Sequence, residues 1–279
     1  MKRVFLITGC RSGIGLKTAV EAGKAGHVVY AGLRDPKTSA KLEEAAEGLE
    51  VYPLGLDITK EGEREAAVER VLREQGRLDV LVNNAGVALG GFLELVEEEE
   101  LRRVFEVNVF GTWALTKRCL PSLRSSGGAV IHVSSMSGRM AFPGLGVYSA
   151  SKFALEGMSE AWRHELNLTG VRLALVEPGA YKTDIWTRNR HLAKGARNPN
   201  TPYGGHFASL EKVFDKVVDR LARDPKEVAE KILELAAHPK PPFRNPLGGE
   251  SGLREALLRL MPFALLEGIF KRSFKWAGR

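Results

Sequence analysis

The chain has 279 residues, 44% of them apolar and 27% charged, which is long for one domain but ordinary for an α/β fold. Its net charge of +7 comes without a basic run interleaved with aromatics, so nucleic acid is not the expected partner. Two cysteines, Cys10 and Cys119, make no disulfide framework. No uncharged apolar stretch reaches membrane-spanning length, and the run Val4–Ile7 stops too early for a signal core; a soluble, cytoplasmic protein is expected.

Residues 3–8 read as a strand buried on both faces, being almost wholly apolar. Thr8-Gly9-Cys10-Arg11-Ser12-Gly13-Ile14-Gly15 follows at once and leads into a helix from about Ile14 to Ala25. Gly26 ends it, and Val28–Ala31 is a second strand. This is a βαβ unit with glycines at its first turn, where a tight turn and close backbone approach to a pyrophosphate are needed. The helix N-terminus supplies N–H groups and positive partial charge to phosphates. The spacing is G-x-x-x-G-x-G, not the commoner G-x-G-x-x-G.

The alternation continues. A helix is expected over 35–47, a strand over 51–56 ending at Asp57, and a charged helix over 60–75 capped by Thr59. A strand over 78–82 runs into Asn83-Asn84-Ala85-Gly86. A helix over 97–120, a strand over 128–134, a helix over 148–168 and a strand over 171–177 ending at Pro178-Gly179 complete the pattern. Six strands alternating with helices predict a doubly wound parallel sheet of Rossmann type with helices on both faces. Residues 184–205 look like a mobile loop. Helices are expected at about 206–222 and 226–237, and Phe243–Leu247 offers an edge strand. The organisation read is one domain: a core over 1–183, a substrate loop with helices over 184–237, and an extension over 238–279.

The chemistry is expected between Ser134 and Lys152. Tyr148 and Lys152 are four residues apart, so on a helix they share a face one turn apart. An ammonium there can stabilise a phenolate and draw its pKa down from about 10. A serine hydroxyl at the neighbouring strand end can hold a substrate oxygen. With a hydride carrier alongside, these groups suit reduction of a carbonyl or oxidation of an alcohol. Tyr-x-x-x-Lys alone is a common accident; its neighbours give it weight. No metal site is expected.

In order and spacing, the glycine motif, Asn83-Asn84-Ala85-Gly86, Asn108, Ser135, Tyr148-Ser149-Ala150-Ser151-Lys152 and Pro178-Gly179 with Thr183 resemble the short-chain dehydrogenase/reductase family over about 1–183. Thr-Gly-Cys-x-Ser-Gly-Ile-Gly and Leu33-Arg34-Asp35 look like its hydroxysteroid and retinol dehydrogenase branch. The resemblance implies hydride transfer between a nicotinamide cofactor and a carbonyl or alcohol. Tyr148 would be the acid/base, Lys152 its partner and a holder of the nicotinamide ribose, and Ser135 the hydrogen-bond donor to the substrate oxygen. Asn108 would hold a water in the proton relay; the bland alternative is an asparagine facing solvent. Gly9, Arg11, Ser12, Gly13, Ile14 and Gly15 would carry the phosphates. Asn84, Ala85 and Gly86 would line the adenosine ribose, Asp57 and Ile58 the adenine, and Pro178, Gly179 and Thr183 the nicotinamide carboxamide.

NADP(H) is expected over NAD(H). The slot at the end of the second strand, acidic in NAD-specific folds, holds Leu33 followed by Arg34, and Arg11 lies in the glycine loop; Asp35 is the competing acidic candidate. The substrate is expected to be apolar, walled by Met136, Phe142, Leu145 and Val147, with Ile185, Trp186, Leu192 and Phe207 beyond. In the tail Leu253, Leu257, Leu260, Met261, Ala264, Leu265 and Ile269 recur at helical spacing. A helix packed on the body is the first reading, a cover over the cleft the second. Contact with an anionic membrane is the third, weakened by Pro262 and flanking acids. A homo-oligomer, dimer or tetramer, follows from the resemblance. The alternative functions are an oxoacyl-carrier-protein reductase and a sensor or scaffold that binds NADP without turnover.

Overall fold

The computed structural model describes residues 1–186, 190–248 and 262–273. The strands of its main sheet are β1 (Val4–Ile7), β2 (Val28–Leu33), β3 (Val51–Gly55), β4 (Val80–Asn83), β6 (Ala129–Val133), β7 (Arg172–Pro178) and β9 (Arg244–Leu247). They lie in the order β3-β2-β1-β4-β6-β7-β9, all pairs parallel. The chain winds outward one way from β1 and then the other way from β4. The crevice between those two strands is the switch point where such sheets bind ligands.

Strand residues alternate between two apolar layers, as side chains of period two must. Phe5, Ile7, Val80, Val82, Ile131 and Val176 pack with Leu16, Ala19 and Val20 of α1 (Gly13–Lys24) and with Val228, Ile232 and Leu235 of α8 (Lys226–Ala237). Val4, Leu6, Leu81, Val130 and Leu173 face the other way. They meet Val68 and Val71 of α3 (Glu61–Gln75), Leu115 and Leu123 of α5 (Thr112–Ser126) and Leu166 of α6 (Gly146–Asn167). A third, smaller cluster joins Leu89, Val104 and Val147 to Phe207 and Leu210 of α7 (His206–Leu221) beside the cleft.

The structure departs from the sequence reading at several elements. Instead of one helix over 35–47 there is a 3-10 turn, Pro36–Thr38, and the short α2 (Ala40–Ala45). Asp35 caps that turn, its Oδ1 accepting from Lys37 N at 3.0 Å, and a fresh start is needed at Ser39. Thr59 does not cap α3: its hydroxyl donates to Asp57 Oδ1 at 2.8 Å, and Lys60 is the N-cap. The helix expected over 97–120 is α4 (Glu98–Phe105), a π-turn over Glu106–Gly111 and α5, which carries Pro121 inside it. Residues 184–205 are not simply loop. They contain β8 (Arg190–Leu192), paired in parallel with β5 (Ala88–Gly90). The edge strand expected near Phe243–Leu247 is β9.

In the tail, Phe263, Leu265 and Ile269 of the described helix Phe263–Ser273 are exposed. Leu253, Leu257, Leu260 and Met261 lie outside the described residues. Among those described, no helix is long and apolar enough to cross a membrane, and no group of acidic, histidine and cysteine side chains has the makings of a metal site.

Candidate active site

The glycine loop between β1 and α1 is fixed by backbone need. Gly9 and Gly13 have φ of +73° and +60°, a region that penalises any Cβ. Gly15 is crowded instead: a Cβ there would lie 2.4 Å from both Asn84 Nδ2 and Gly9 O. Asn84 explains the crowding. Its Nδ2 donates to Thr8 O at 2.8 Å and Gly9 O at 3.2 Å, while Thr8 Oγ1 accepts from the N–H groups of Asn84 and Ala85. The ends of β1 and β4 are thus tied across the switch point. Asn84 Nδ2 is committed to holding the loop, a role the sequence did not show.

Tyr148 and Lys152 lie on the first turns of α6, both buried. Lys152 Nζ donates to Val133 O at 2.9 Å and sits 5.8 Å from the centre of the Tyr148 ring. Ser135 follows β6, and its Oγ accepts from Ser137 N at 3.1 Å, which fixes its rotamer in the turn Met136–Gly138. Asn108 is 1% exposed, so it does not face solvent. Its Oδ1 accepts from Val87 N and its Nδ2 donates to Val87 O, both at 2.9 Å, and to Ser151 Oγ at 2.9 Å. The π-turn turns this side chain inward; such turns recur at functional sites. Gly86 keeps the gap narrow, since a Cβ on it would lie 3.4 Å from Asn108 Oδ1 and 3.6 Å from Lys152 Nζ.

Burial governs the electrostatics. It raises the Tyr148 phenol above its ordinary value of 10, with a hydrogen bond from Ser135 opposing. It lowers the Lys152 ammonium to about 8, with Glu156 opposing. The expected drop of the Tyr148 pKa toward neutrality is therefore not what this structure shows. The ammonium is aimed at the Val133 carbonyl, and desolvation of a phenolate outweighs it. His132, below the site, is held neutral, its pKa lowered to about 3 by burial and by Lys152.

Comparison with known proteins places this geometry. A short chain dehydrogenase family model matches residues 3–193. The chain is a short-chain dehydrogenase. It is 37% identical to a 3-ketodihydrosphingosine reductase of Bacteroides thetaiotaomicron, over 88% of each chain. It is 36% identical to an NADPH-dependent 3-dehydrocapnine reductase of Ornithobacterium rhinotracheale, over 98% of each. It is also 39% identical to human 17-beta-hydroxysteroid dehydrogenase type 1, over 87% of this chain and 76% of that one, which bears out the likeness to the hydroxysteroid branch. Among solved structures, a short-chain dehydrogenase from Streptomyces avermitilis superposes with a TM-score of 0.81 at 30% identity, covering 100% of this chain and 99% of that one.

In this dehydrogenase one cleft of about 360 Å³ gathers most of the residues singled out in the sequence. Gly9, Arg11, Ser12, Gly13, Ile14, Arg34, Asp57, Ile58, Asn84, Ala85 and Gly86 line one stretch. Ser135, Tyr148, Lys152, Pro178, Gly179, Thr183 and Ile185 line the rest. Gly15 and Asn108 stand behind the wall. Leu145 instead lines a second, smaller cavity with Phe207 and Val218. Met136 and Phe142 line neither; Met136 Cγ lies 4.0 Å from where a Cβ on Gly179 would stand. The Trp186 side chain lies outside the described residues. Val87, Val107, Asp184 and His191 line the cleft without having been read from the sequence. Only the pairing of β8 with β5 brings His191 there, and a three-residue strand of sequence Arg-His-Leu carries no periodic signal. The cavity, the φ-positive glycines and the absence of room at Gly15 suit a dinucleotide laid over the α1 N-terminus.

Proposed function

We propose that the enzyme interconverts a carbonyl and an alcohol on an apolar substrate with NADP(H), Tyr148 serving as acid/base. The observation that carries this is convergence: the Tyr148 and Lys152 side chains and the Ser135 turn meet Pro178, Gly179 and Thr183 in one cleft. A bound reduced nicotinamide supplies the hydride. Ser135 and Tyr148 hold the carbonyl oxygen, and the Tyr148 hydroxyl gives its proton as charge develops there. Burial raises the phenol pKa and so keeps that proton in place until it is needed. Lys152 would hold the ribose and pass a proton to the Tyr148 phenolate, regaining one from solvent, and Asn108, fixed to Val87 and Ser151, keeps the relay in register. In oxidation the same groups act in reverse.

NADP(H) is supported by Arg11 and Arg34, both on the cleft wall. A pair of guanidiniums is suited to a 2′-phosphate through charge-assisted hydrogen bonds. Asp35, the competing candidate, has one carboxylate oxygen occupied as the cap of its own turn. The relative named as NADPH-dependent spans the whole chain. An apolar substrate is supported by Leu145, Phe207, Phe214 and Val218 around the second cavity, which His191 and Ile185 share with the first. The three relatives are named for 3-ketodihydrosphingosine, 3-dehydrocapnine and a 17-beta-hydroxysteroid. A homo-oligomer is supported by exposed Phe110, Trp113 and Phe153 on the π-turn, α5 and α6.

The test is a screen of ketones, aldehydes and secondary alcohols with each cofactor. Long-chain or steroid-like ketones with NADPH should give the highest kcat/KM. A preference for sugars, or equal use of NADH, overturns the corresponding part.

A further inference from the structure

Beneath the cleft lies a buried ion network that the chemistry described so far does not use. Glu156 stands one turn beyond Lys152 on α6 and is 4% exposed. Arg244 of β9 donates from Nε to Glu156 Oε2 at 3.1 Å and from Nη2 to Glu160 Oε2 at 2.7 Å, and lies 3.7 Å from Glu177. Arg139 donates to Glu177 Oε1 at 2.8 Å. The network touches three parts of the site. Glu156 shares α6 with Tyr148 and Lys152, Arg139 closes the turn that bears Ser135, and Glu177 immediately precedes Pro178-Gly179. A Cβ on Gly138 would lie 3.0 Å from Glu156 Cγ and 3.1 Å from Lys152 O, so the serine turn rests directly on this turn of the helix.

Desolvating these charges is expensive, and a buried ion pair is a weak source of stability. We propose that Glu156, one turn along α6 from Lys152 and clamped by Arg244, is a positioning residue that holds the Lys152 ammonium in place and so sets the alkaline limit of carbonyl reduction. The inference rests on the catalytic role given to Lys152 above. The groups facing Lys152 can be named. They are Tyr148 and Glu156 from α6, neutral His132 from β6 and uncharged Asn108 from the π-turn. Beyond Glu156 stand Arg244 and the Arg139–Glu177 pair. Glu156 is the acidic side chain that opposes the loss of the Lys152 proton.

The experiment is the pH profile of kcat/KM for reduction of the best ketone from the screen, with thermal melting in parallel. Glu156→Gln should move the alkaline limb to lower pH by at least about half a unit, because an ammonium without its carboxylate loses its proton sooner. Glu160→Gln breaks a pair to the same arginine on a half-exposed side chain and should leave the limb in place. Arg244→Gln removes a cation and should move the limb the opposite way. A merely structural role would lower the melting temperature in all three and leave the limb fixed; that result overturns the proposal, as does an equal shift in Glu160→Gln. If Glu156→Gln does not fold, the direction of the Arg244→Gln shift decides. Lys152→Met separates the two readings: if it keeps its activity, the role of Lys152 is wrong, whereas an essential Lys152 with an unmoved limb refutes only the role of Glu156.

Discussion

At the scale of single residues, the site depends on side chains that are missing as much as on those present. Gly15 has no room for a methyl group because Asn84 and Gly9 O occupy it. Gly15→Ala should therefore weaken dinucleotide binding about five-fold or more, overpacking of this kind costing ~1–3 kcal/mol; titration by dinucleotide fluorescence measures it. Arg34→Ala should lower kcat/KM for NADPH by about ten-fold or more and leave NADH nearly unchanged, the loss of one charge-assisted contact to a phosphate. Equal losses with both cofactors would place Arg34 elsewhere. Most of these residues were legible in the sequence because close spacing along the chain survives folding. Tyr148 and Lys152 need only a helix to share a face. The direction of the Tyr148 shift was not legible, because it depends on burial and on where the Lys152 ammonium is aimed.

At the scale of elements, β4 and β6 are joined to their covering helices α5 and α6 by a buried polar chain. Asn83 Nδ2 donates to Thr116 Oγ1 at 2.8 Å, and His132 Nδ1 meets Ser159 Oγ at 2.8 Å. The Ser159 hydroxyl donates onward to Leu155 O, so the His132 Nδ1 carries a proton, and burial keeps the imidazole neutral. An unfolded histidine titrates near 6.5, and folded His132 near 3. Between those values the unfolded state binds the additional proton, so stability is present above about pH 6.5 and falls as the pH drops. The expected slope from this one group is about 1.4 kcal/mol per unit. Urea unfolding at pH 7, 6 and 5 should show that loss, and His132→Gln should flatten the slope even if it lowers stability throughout. The main strands and helices were legible because apolar runs and glycine stops are local. The break between the turn at Pro36 and α2, the π-turn under Asn108 and the β5–β8 pair were not. Each is decided by a cap or by a partner distant in sequence.

At the scale of the whole molecule, two outward-winding halves of the sheet leave one crevice, and the glycine loop, the Tyr148 helix and the Pro178 turn all open into it. Phe110, Trp113 and Phe153 on the π-turn, α5 and α6 are each between 43% and 54% exposed. Light scattering should give at least twice the chain mass of 30.6 kDa, and Trp113→Glu should return the monomer if that surface is the contact. The central claim is that Tyr148 supplies and removes the proton at a carbonyl oxygen held in this crevice. Its most direct measurement compares wild type and Tyr148→Phe for NADPH-dependent ketone reduction, alongside NADPH affinity. The phenylalanine ring still fills the pocket while the transferable proton is gone, so kcat should fall at least about 100-fold with NADPH affinity unchanged within a few-fold. A variant that keeps more than about a tenth of the wild-type kcat would contradict the assignment.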